Sequence, residues 1–343
     1  MTDSITHYQN YIDGQWQPCQ SGRTFDNINP ADTGMVVGRF QASGAADAEA
    51  AVSAAARAFH AWRATPIGKR AKILNEAASY LEANAARFAE DLTLEEGKAL
   101  AQARDEILRS AQTLRFYAVE GQTFGGETYP QDDPLQYVYS HREPLGVVTV
   151  ISPWNFPASI PARKLAPALI TGNTVVFKPS SDAPLSGLHL VEALAHAGIP
   201  AGVVNCVTGR AADVGPVITT SRAVRAISFT GSTQAGAHIH RSVHLTTRLQ
   251  MELGGKNPLI VMEDADLDAA VDLAIKGGFS LTGQACTGTS RIVAIAEIKQ
   301  RFTEKLLARI RTLKIGPGMA ADLDVLQDRI ELLGGGQRPQ VHA

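Results

Sequence analysis

The chain presents a thiol, Cys286, inside the glycine- and threonine-rich segment FSLTGQACTGTSR at residues 279–291. Two groups that such a thiol could use lie upstream, Asn155 in PWNFP and Glu252 in MELGGKNP. A thiol, an amide and a carboxylate can together carry an aldehyde to an acid through a thioester. The thiol attacks the carbonyl, the amide steadies the oxyanion, and the carboxylate activates the water that releases the acid. Each group alone has a plainer reading. A single Cys is often a small buried hydrophobe, Glu252 could be an ion-pair partner, and Asn155 a turn former.

The combination is more specific, because PWNFP, FKPSS, FTGSTQAG, MELGGKNP and GQACT follow one another in that order. On these motifs the chain resembles the aldehyde dehydrogenase superfamily. Within it, the chain resembles the semialdehyde dehydrogenases of the succinate-semialdehyde and α-ketoglutaric-semialdehyde types. The resemblance runs from about Tyr11 to about Gly316. It implies an α/β fold, a Rossmann-like doubly wound parallel sheet with an incomplete second α/β catalytic domain, and NAD(P)-dependent oxidation of an aldehyde. It also implies roles. Cys286 would be the nucleophile, with the Asn155 amide and the Cys286 backbone N–H holding the oxyanion. Glu252 would be the general base for the deacylating water, with Gly254 and Gly255 giving it room to swing. Thr287 and Gly283 would shape the turn.

No GxGxxG follows a strand, so the usual dinucleotide fingerprint is absent, which does not exclude the cofactor. FTGSTQAG instead leaves a strand ending at Phe229 and starts a helix near Thr233. Gly231 permits close backbone approach, Ser232 offers a hydroxyl, and the helix N-terminus offers N–H groups to a pyrophosphate. A simple N-cap is the plain alternative. The resemblance assigns Gly231 and Ser232 to phosphate binding. It assigns FKPSS to the adenosine ribose, with Lys178 bonding a hydroxyl and Pro179, Ser180 and Ser181 running beneath. NAD-preferring relatives often carry a glutamate where this chain has Ser181. The neutral Ser beside Lys178 suits NADP, with NAD the weaker cofactor, while Asp182 places a carboxylate one position on. Trp154 and Gly215 are implied neighbours of the cofactor; otherwise they are a core aromatic and a turn glycine.

For the substrate, Arg163 in IPARKL lies one or two helical turns beyond Asn155. Semialdehyde dehydrogenases use a matching arginine to grip a distal carboxylate, and an exposed helix Arg is the alternative. Some succinate-semialdehyde enzymes carry a second arginine just after the phenylalanine of the cysteine loop, where this chain has Ser280. GQACTGTSR is closer to the α-ketoglutaric-semialdehyde type, and both substrates stay as candidates.

Composition sets the frame for these groups. The 343 residues, 45% hydrophobic and 19% charged, suffice for two domains with real cores. A net charge of −2 gives no footprint for nucleic acid or an anionic membrane. The expected partner is a small-molecule aldehyde. No apolar run approaches the ~20 residues of a membrane span, and the N-terminus has neither apolar core nor basic leader. Cys19, Cys206 and Cys286 show no metal or disulfide spacing, so no metal is expected and a reducing cytoplasm fits. Cys206 in VVNCV reads as inert core, and Cys19 in QPCQSG as surface.

Residues 8–40 read as hairpin strands. Residues 44–121 read as three Ala-rich helices, the first over Ala45–Arg63 and the second opened by Pro66, with Glu95, Glu96 and Arg104 on solvated faces. Apolar runs at 146–151, 174–178, 202–207, 226–229 and 249–253, separated by helical stretches, predict the parallel sheet, with every motif just past a strand end. The expected domains are 1–252 for nucleotide binding, with 126–145 an oligomerisation hairpin by resemblance, and 253–320 for part of the catalytic unit. Residues 321–343 read as an atypical, flexible tail. Family members continue well past the cysteine loop, so a truncated product is expected, for which the family's homo-oligomer is in doubt. The alternative to an active enzyme is then a catalytically inactive fragment that at most binds nucleotide or associates with full-length subunits. A cofactor-free esterase acting through Cys286 and Glu252 is a third reading.

Overall fold

The computed structural model describes residues 5–320 and the backbone of a short strand at Val325–Leu326. The expected tail at 321–343 otherwise lies outside the described residues. Two hairpins open the chain, β1 (Asn10–Ile12) with β2 (Gln15–Gln17), and β3 (Thr24–Ile28) with β4 (Val36–Gln41).

Four helices follow rather than three: α1 (Ala45–Arg63), α2 (Ile67–Ala83), α3 (Ala85–Glu96) and α4 (Leu100–Thr123). The extra break is at Asn84, which leaves helical geometry and turns its side-chain N–H back onto the Tyr80 carbonyl. An Asn can satisfy the end of one helix in this way while starting the next. Gly97, at φ +99°, then ends α3 in the left-handed region that glycine tolerates.

The exposed hairpin of β5 (Thr128–Tyr129) and β6 (Val138–Tyr139) leads into alternating strands and helices. These are β7 (Val147–Ile151), α5 (Ser159–Ile170), β8 (Thr174–Lys178), α6 (Leu185–His196), β9 (Val204–Cys206), α7 (Ala211–Thr220), β10 (Val224–Thr230), α8 (Thr233–Ser242) and β11 (Arg248–Glu252). The strands lie in the order β11-β10-β7-β8-β9-β1-β2. The first five are parallel, and the β1–β2 hairpin closes the far edge antiparallel. This is the expected doubly wound sheet.

Its construction follows from period-two alternation along buried, β-branched strands. Val148, Val150, Val175 and Phe177 face a core filled by α2, α4, α5 and α6. Val147, Val176 and Ile227 face the opposite core, against α1 and α7. β8 is buried at every residue, so the chain leaves the middle of the sheet at Lys178.

After β11 a separate parallel pair forms, β12 (Asn257–Val261) with β13 (Thr289–Ala294), packed by α9 (Leu267–Phe279) and α10 (Ala296–Ile310) around their own buried cluster. A last pair, β14 (Ile315–Gly316) and β15 (Val325–Leu326), is parallel. Among the described residues no helix is long and apolar enough to cross a membrane.

Two surface expectations are overturned. Glu95 and Glu96 are buried, not solvated. Glu95 takes the Leu185 and Ser186 backbone N–H groups at 2.7 Å each, and thus caps α6 from another helix. Cys19 is buried as well, because its turn folds inward: its N–H meets the Gln41 side chain and its Sγ the Arg23 carbonyl. Cys206 is buried as expected, and burial pushes its thiol well above the usual range.

Candidate active site

Asn155, the residue expected at the oxyanion, sits on the loop that joins β7 to α5. Prolines at 153 and 157 deprive this loop of two backbone donors and hold the residues before them extended. Asn155, half-buried, donates its side-chain N–H to the Gln284 carbonyl at 2.6 Å. Gln284 stands two residues before Cys286, so the fold brings the amide to the Cys286 loop.

That loop leaves α9 through a short 3₁₀ turn at Ser280–Gly283. Leu281 and Thr282 both have φ of +56°, which for side chains with a Cβ stores on the order of 1–3 kcal/mol of strain each. A tight turn then forms, with the Gly288 N–H on the Ala285 carbonyl at 3.0 Å, and Cys286 is exposed at its second position. The Asn257 amide holds the Cys286 carbonyl at 2.6 Å. Among the described residues no acceptor takes the Cys286 N–H. The motifs at Asn155, Lys178, Gly231 and Glu252 do lie just past strand ends, but the cysteine loop precedes β13. It belongs to the crossover from α9 into the second sheet.

Glu252, exposed, ends β11. Alternation along that edge strand puts Gln250 on the same face, and the Gln250 amide donates to Glu252 Oε1 at 3.0 Å. Gln250 Oε1 in turn accepts from Lys164 Nζ at 3.0 Å and from the Ser228 hydroxyl. Burial lowers the Lys164 ammonium to about 8 while the Glu252 charge opposes the shift. Lys164 escaped sequence reasoning; its one signal was a cation within the apolar helix SIPARKLAPALI. The Gly231 N–H reaches the Glu252 carbonyl at 3.1 Å. A Cβ on Gly255 would stand 4.0 Å from the Cys286 carbonyl oxygen, so the segment carrying Glu252 passes beside the nucleophile's turn.

The expected cofactor residues divide in their behaviour. Lys178 is buried, its Nζ bonds the Pro179 carbonyl at 3.0 Å, and burial lowers it to about 8 with the Asp182 charge opposing. The Ser181 hydroxyl is spent on the Gly209 carbonyl at 2.9 Å, and the Ser180 hydroxyl accepts the Asp182 N–H. Ser232 is the N-cap of α8, accepting from the Ala235 N–H at 3.2 Å. Gly231 is required by packing, since a Cβ there would approach the Phe229 ring to 2.5 Å. Gly215 lies inside α7 rather than in a turn, with open space where its Cβ would be. Trp154 is half-buried rather than core.

These residues fit a dinucleotide. Lys178 supplies a donor at a strand end, Gly215 leaves room, and the first-turn N–H groups of α8 at Thr233 and Gln234 have no acceptor among the described residues. Such N–H groups favour an anion.

Arg163 is exposed on α5 and lines a cavity of about 380 Å³ with Arg109, Gln112, Thr113, Phe116 and Tyr117 of α4. Asn155, Glu252 and Cys286 do not line this cavity. Neither arginine has a carboxylate partner among the described residues. Arg109 carried no signal in the sequence, because its meeting with Arg163 depends on how α4 packs on α5.

Comparison with known proteins agrees with this arrangement. The profile of the aldehyde dehydrogenase family matches residues 16–326. The 2,5-dioxopentanoate dehydrogenase of Saccharolobus solfataricus is 44% identical over 308 residues, which are 89% of this chain and 64% of that protein. The α-ketoglutaric semialdehyde dehydrogenase of Bacillus subtilis is 43% identical, over 92% of this chain and 65% of its own length. The chain thus spans just under two thirds of these relatives. An NADP-dependent enzyme of E. coli superposes with a TM-score of 0.90 at 38% identity, covering 93% of this chain and 66% of that one. By profile, sequence and fold, the chain belongs to the aldehyde dehydrogenase family.

Proposed function

We propose that this chain oxidises an aldehyde bearing a distal carboxylate to the acid, with Cys286 as nucleophile, Asn155 and the Cys286 N–H at the oxyanion, and Glu252 as base. The observation that carries the reading is the Asn155 amide seated on the backbone of the Cys286 loop. An amide there is placed to meet charge that develops on a carbonyl attacked by the thiol. Gln250 orients the Glu252 carboxylate through its amide N–H, and Lys164 holds Gln250 in turn. NADP, with NAD as the weaker alternative, would supply the hydride acceptor. Lys178 and the start of α8 would hold it, with Trp154, Pro179, Ser180, Ser181, Gly215, Gly231 and Ser232 around it. On this reading residues 1–252 are the nucleotide-binding unit and 253–320 part of the catalytic unit.

Substrate charge is read from the α4–α5 cavity, which Arg109 and Arg163 both line, neither with a carboxylate partner among the described residues. A carboxylate is the natural guest for such a pair. The names of the two relatives above point to the same class, α-ketoglutaric semialdehyde, and succinate semialdehyde stays as the other candidate. The exposed Leu135 and Tyr137 of the β5–β6 hairpin support a partner subunit over that face.

The test is NADPH formation by the purified chain with 2,5-dioxopentanoate, succinate semialdehyde and propanal. Turnover of the two acids well above propanal is expected. No NADPH from folded protein with any of them overturns the reading and leaves the nucleotide-binding fragment.

A further inference from the structure

Lys98 follows the glycine that ends α3, and its side chain is completely buried. Its Nζ donates to Glu106 Oε2 on α4 at 2.5 Å and to the Asn155 backbone carbonyl at 2.8 Å. It also stands 4.8 Å from the centre of the Phe156 ring. Glu106 uses its other oxygen to accept the Ala158 and Ser159 N–H groups at 3.0 Å each. Those are the first donors of α5, whose own N-cap residue, Ala158, has no side chain able to take them.

The buried Lys98–Glu106 ion pair, with Glu96 3.8 Å from the same ammonium, therefore grips the chain at three backbone points, on Asn155 itself and just beyond the PWNFP loop. Burying two charges is costly unless their hydrogen-bonding capacity is filled, and here part of it is filled by the loop. The Asn155 residue is thus held from two sides. Its side chain reaches the Gln284 carbonyl, and its own carbonyl is pinned by Lys98. Shifting the backbone that carries the amide away from the Cys286 loop would break the charge-assisted bond from Lys98.

We propose that Lys98 and Glu106 are positioning residues that set the Asn155 amide for the oxyanion, an inference that rests on the dehydrogenase reading. Neither touches the reacting atoms; both act through the backbone that carries Asn155. Loss of the clamp leaves the loop sequence intact but widens its range beyond the ~0.5 Å that a productive site tolerates.

The test compares Lys98→Met and Glu106→Gln with the wild-type chain, alone and in an Asn155→Ala background. One readout is cofactor-free hydrolysis of p-nitrophenyl acetate, which needs the same thiol and oxyanion. The second is hydrogen exchange across residues 153–159. The expected result is a loss of roughly tenfold or more in ester kcat with little change in KM, shrinking to under about threefold once Asn155 is Ala. Exchange in the loop should rise at least about tenfold while β7 and β8 keep their protection.

Equal losses in both backgrounds overturn the proposal, as does unchanged loop exchange in a folded variant. Should Lys98→Met fail to fold, Glu106→Gln keeps the shape and removes one charge, and decides alone. A wild-type chain that turns over neither ester nor aldehyde sinks the dehydrogenase reading; the exchange measurement then still reports whether the clamp holds the loop.

Discussion

The Asn155 amide donates to the Gln284 carbonyl at 2.6 Å, so the group proposed for the oxyanion is tied to the loop of the proposed nucleophile, Cys286. The amide carries two N–H bonds, so one can stay on that backbone oxygen while the other is offered to a substrate carbonyl. The contact also keeps the amide from being buried without an acceptor, which would cost about 1–3 kcal/mol.

Asn155→Ala should therefore lower kcat by about 10²–10³, the usual effect of losing one oxyanion donor. Asn155→Asp should do no better, because its carboxylate would face the Gln284 carbonyl and repel both it and the oxyanion. Steady-state kinetics with the preferred aldehyde checks this. An Asp variant within about threefold of wild type would remove Asn155 from the mechanism.

Replacing Glu252 separates the two halves of the reaction. Gln cannot accept a proton, yet it can keep company with the Gln250 amide 3.0 Å away. Glu252→Gln should give a burst near one NADPH per chain, followed by turnover slowed about 10²–10⁴-fold, the range for a lost general base. Stopped-flow absorbance resolves the phases. Unaltered steady turnover would mean that another group activates the water.

Cofactor preference can be tested at Ser181, whose hydroxyl bonds the Gly209 carbonyl at 2.9 Å. Ser181→Glu would exchange that bond for a carboxylate able to accept from a ribose 2′-hydroxyl and to repel a 2′-phosphate. Calorimetric titration without aldehyde should show NADP affinity falling by at least about tenfold relative to NAD, or 1.4 kcal/mol. An unchanged ratio would place the ribose elsewhere.

What the sequence made legible was local. TVVFK and GVVTVI announce buried strands by β-branching alone, and the proposed chemistry lies in short motifs beyond those strands or in the loop before β13. What it hid depends on distant partners. Glu95 and Glu96 look solvated until α6 is seen to start against Glu95, and Lys98 looks ordinary until Glu106 and the Asn155 carbonyl close around it. Arg109 joins Arg163 only through helix packing. Cys19 needed the fold of its own turn. In each case the deciding contact spans elements whose pairing no periodicity encodes.

Glu96 offers a test in stability rather than activity. Its carboxyl is buried, takes the Lys98 N–H on one oxygen, and has no partner for the other among the described residues. Burial raises it to about 7, against 4.5 for the free group, with the Lys98 charge opposing. Between those values the folded chain holds a proton that the unfolded chain has released. Stability therefore falls as pH rises from about 4.5 to about 7, by up to roughly 3 kcal/mol from this group, and is flat above. Glu96→Gln cannot titrate, so its urea-unfolding free energy should lose much of that slope between pH ~4.5 and ~7, while Glu95 keeps a share of the same sign. A variant with the full wild-type slope would show that Glu96 stays ionised throughout, held by Lys98.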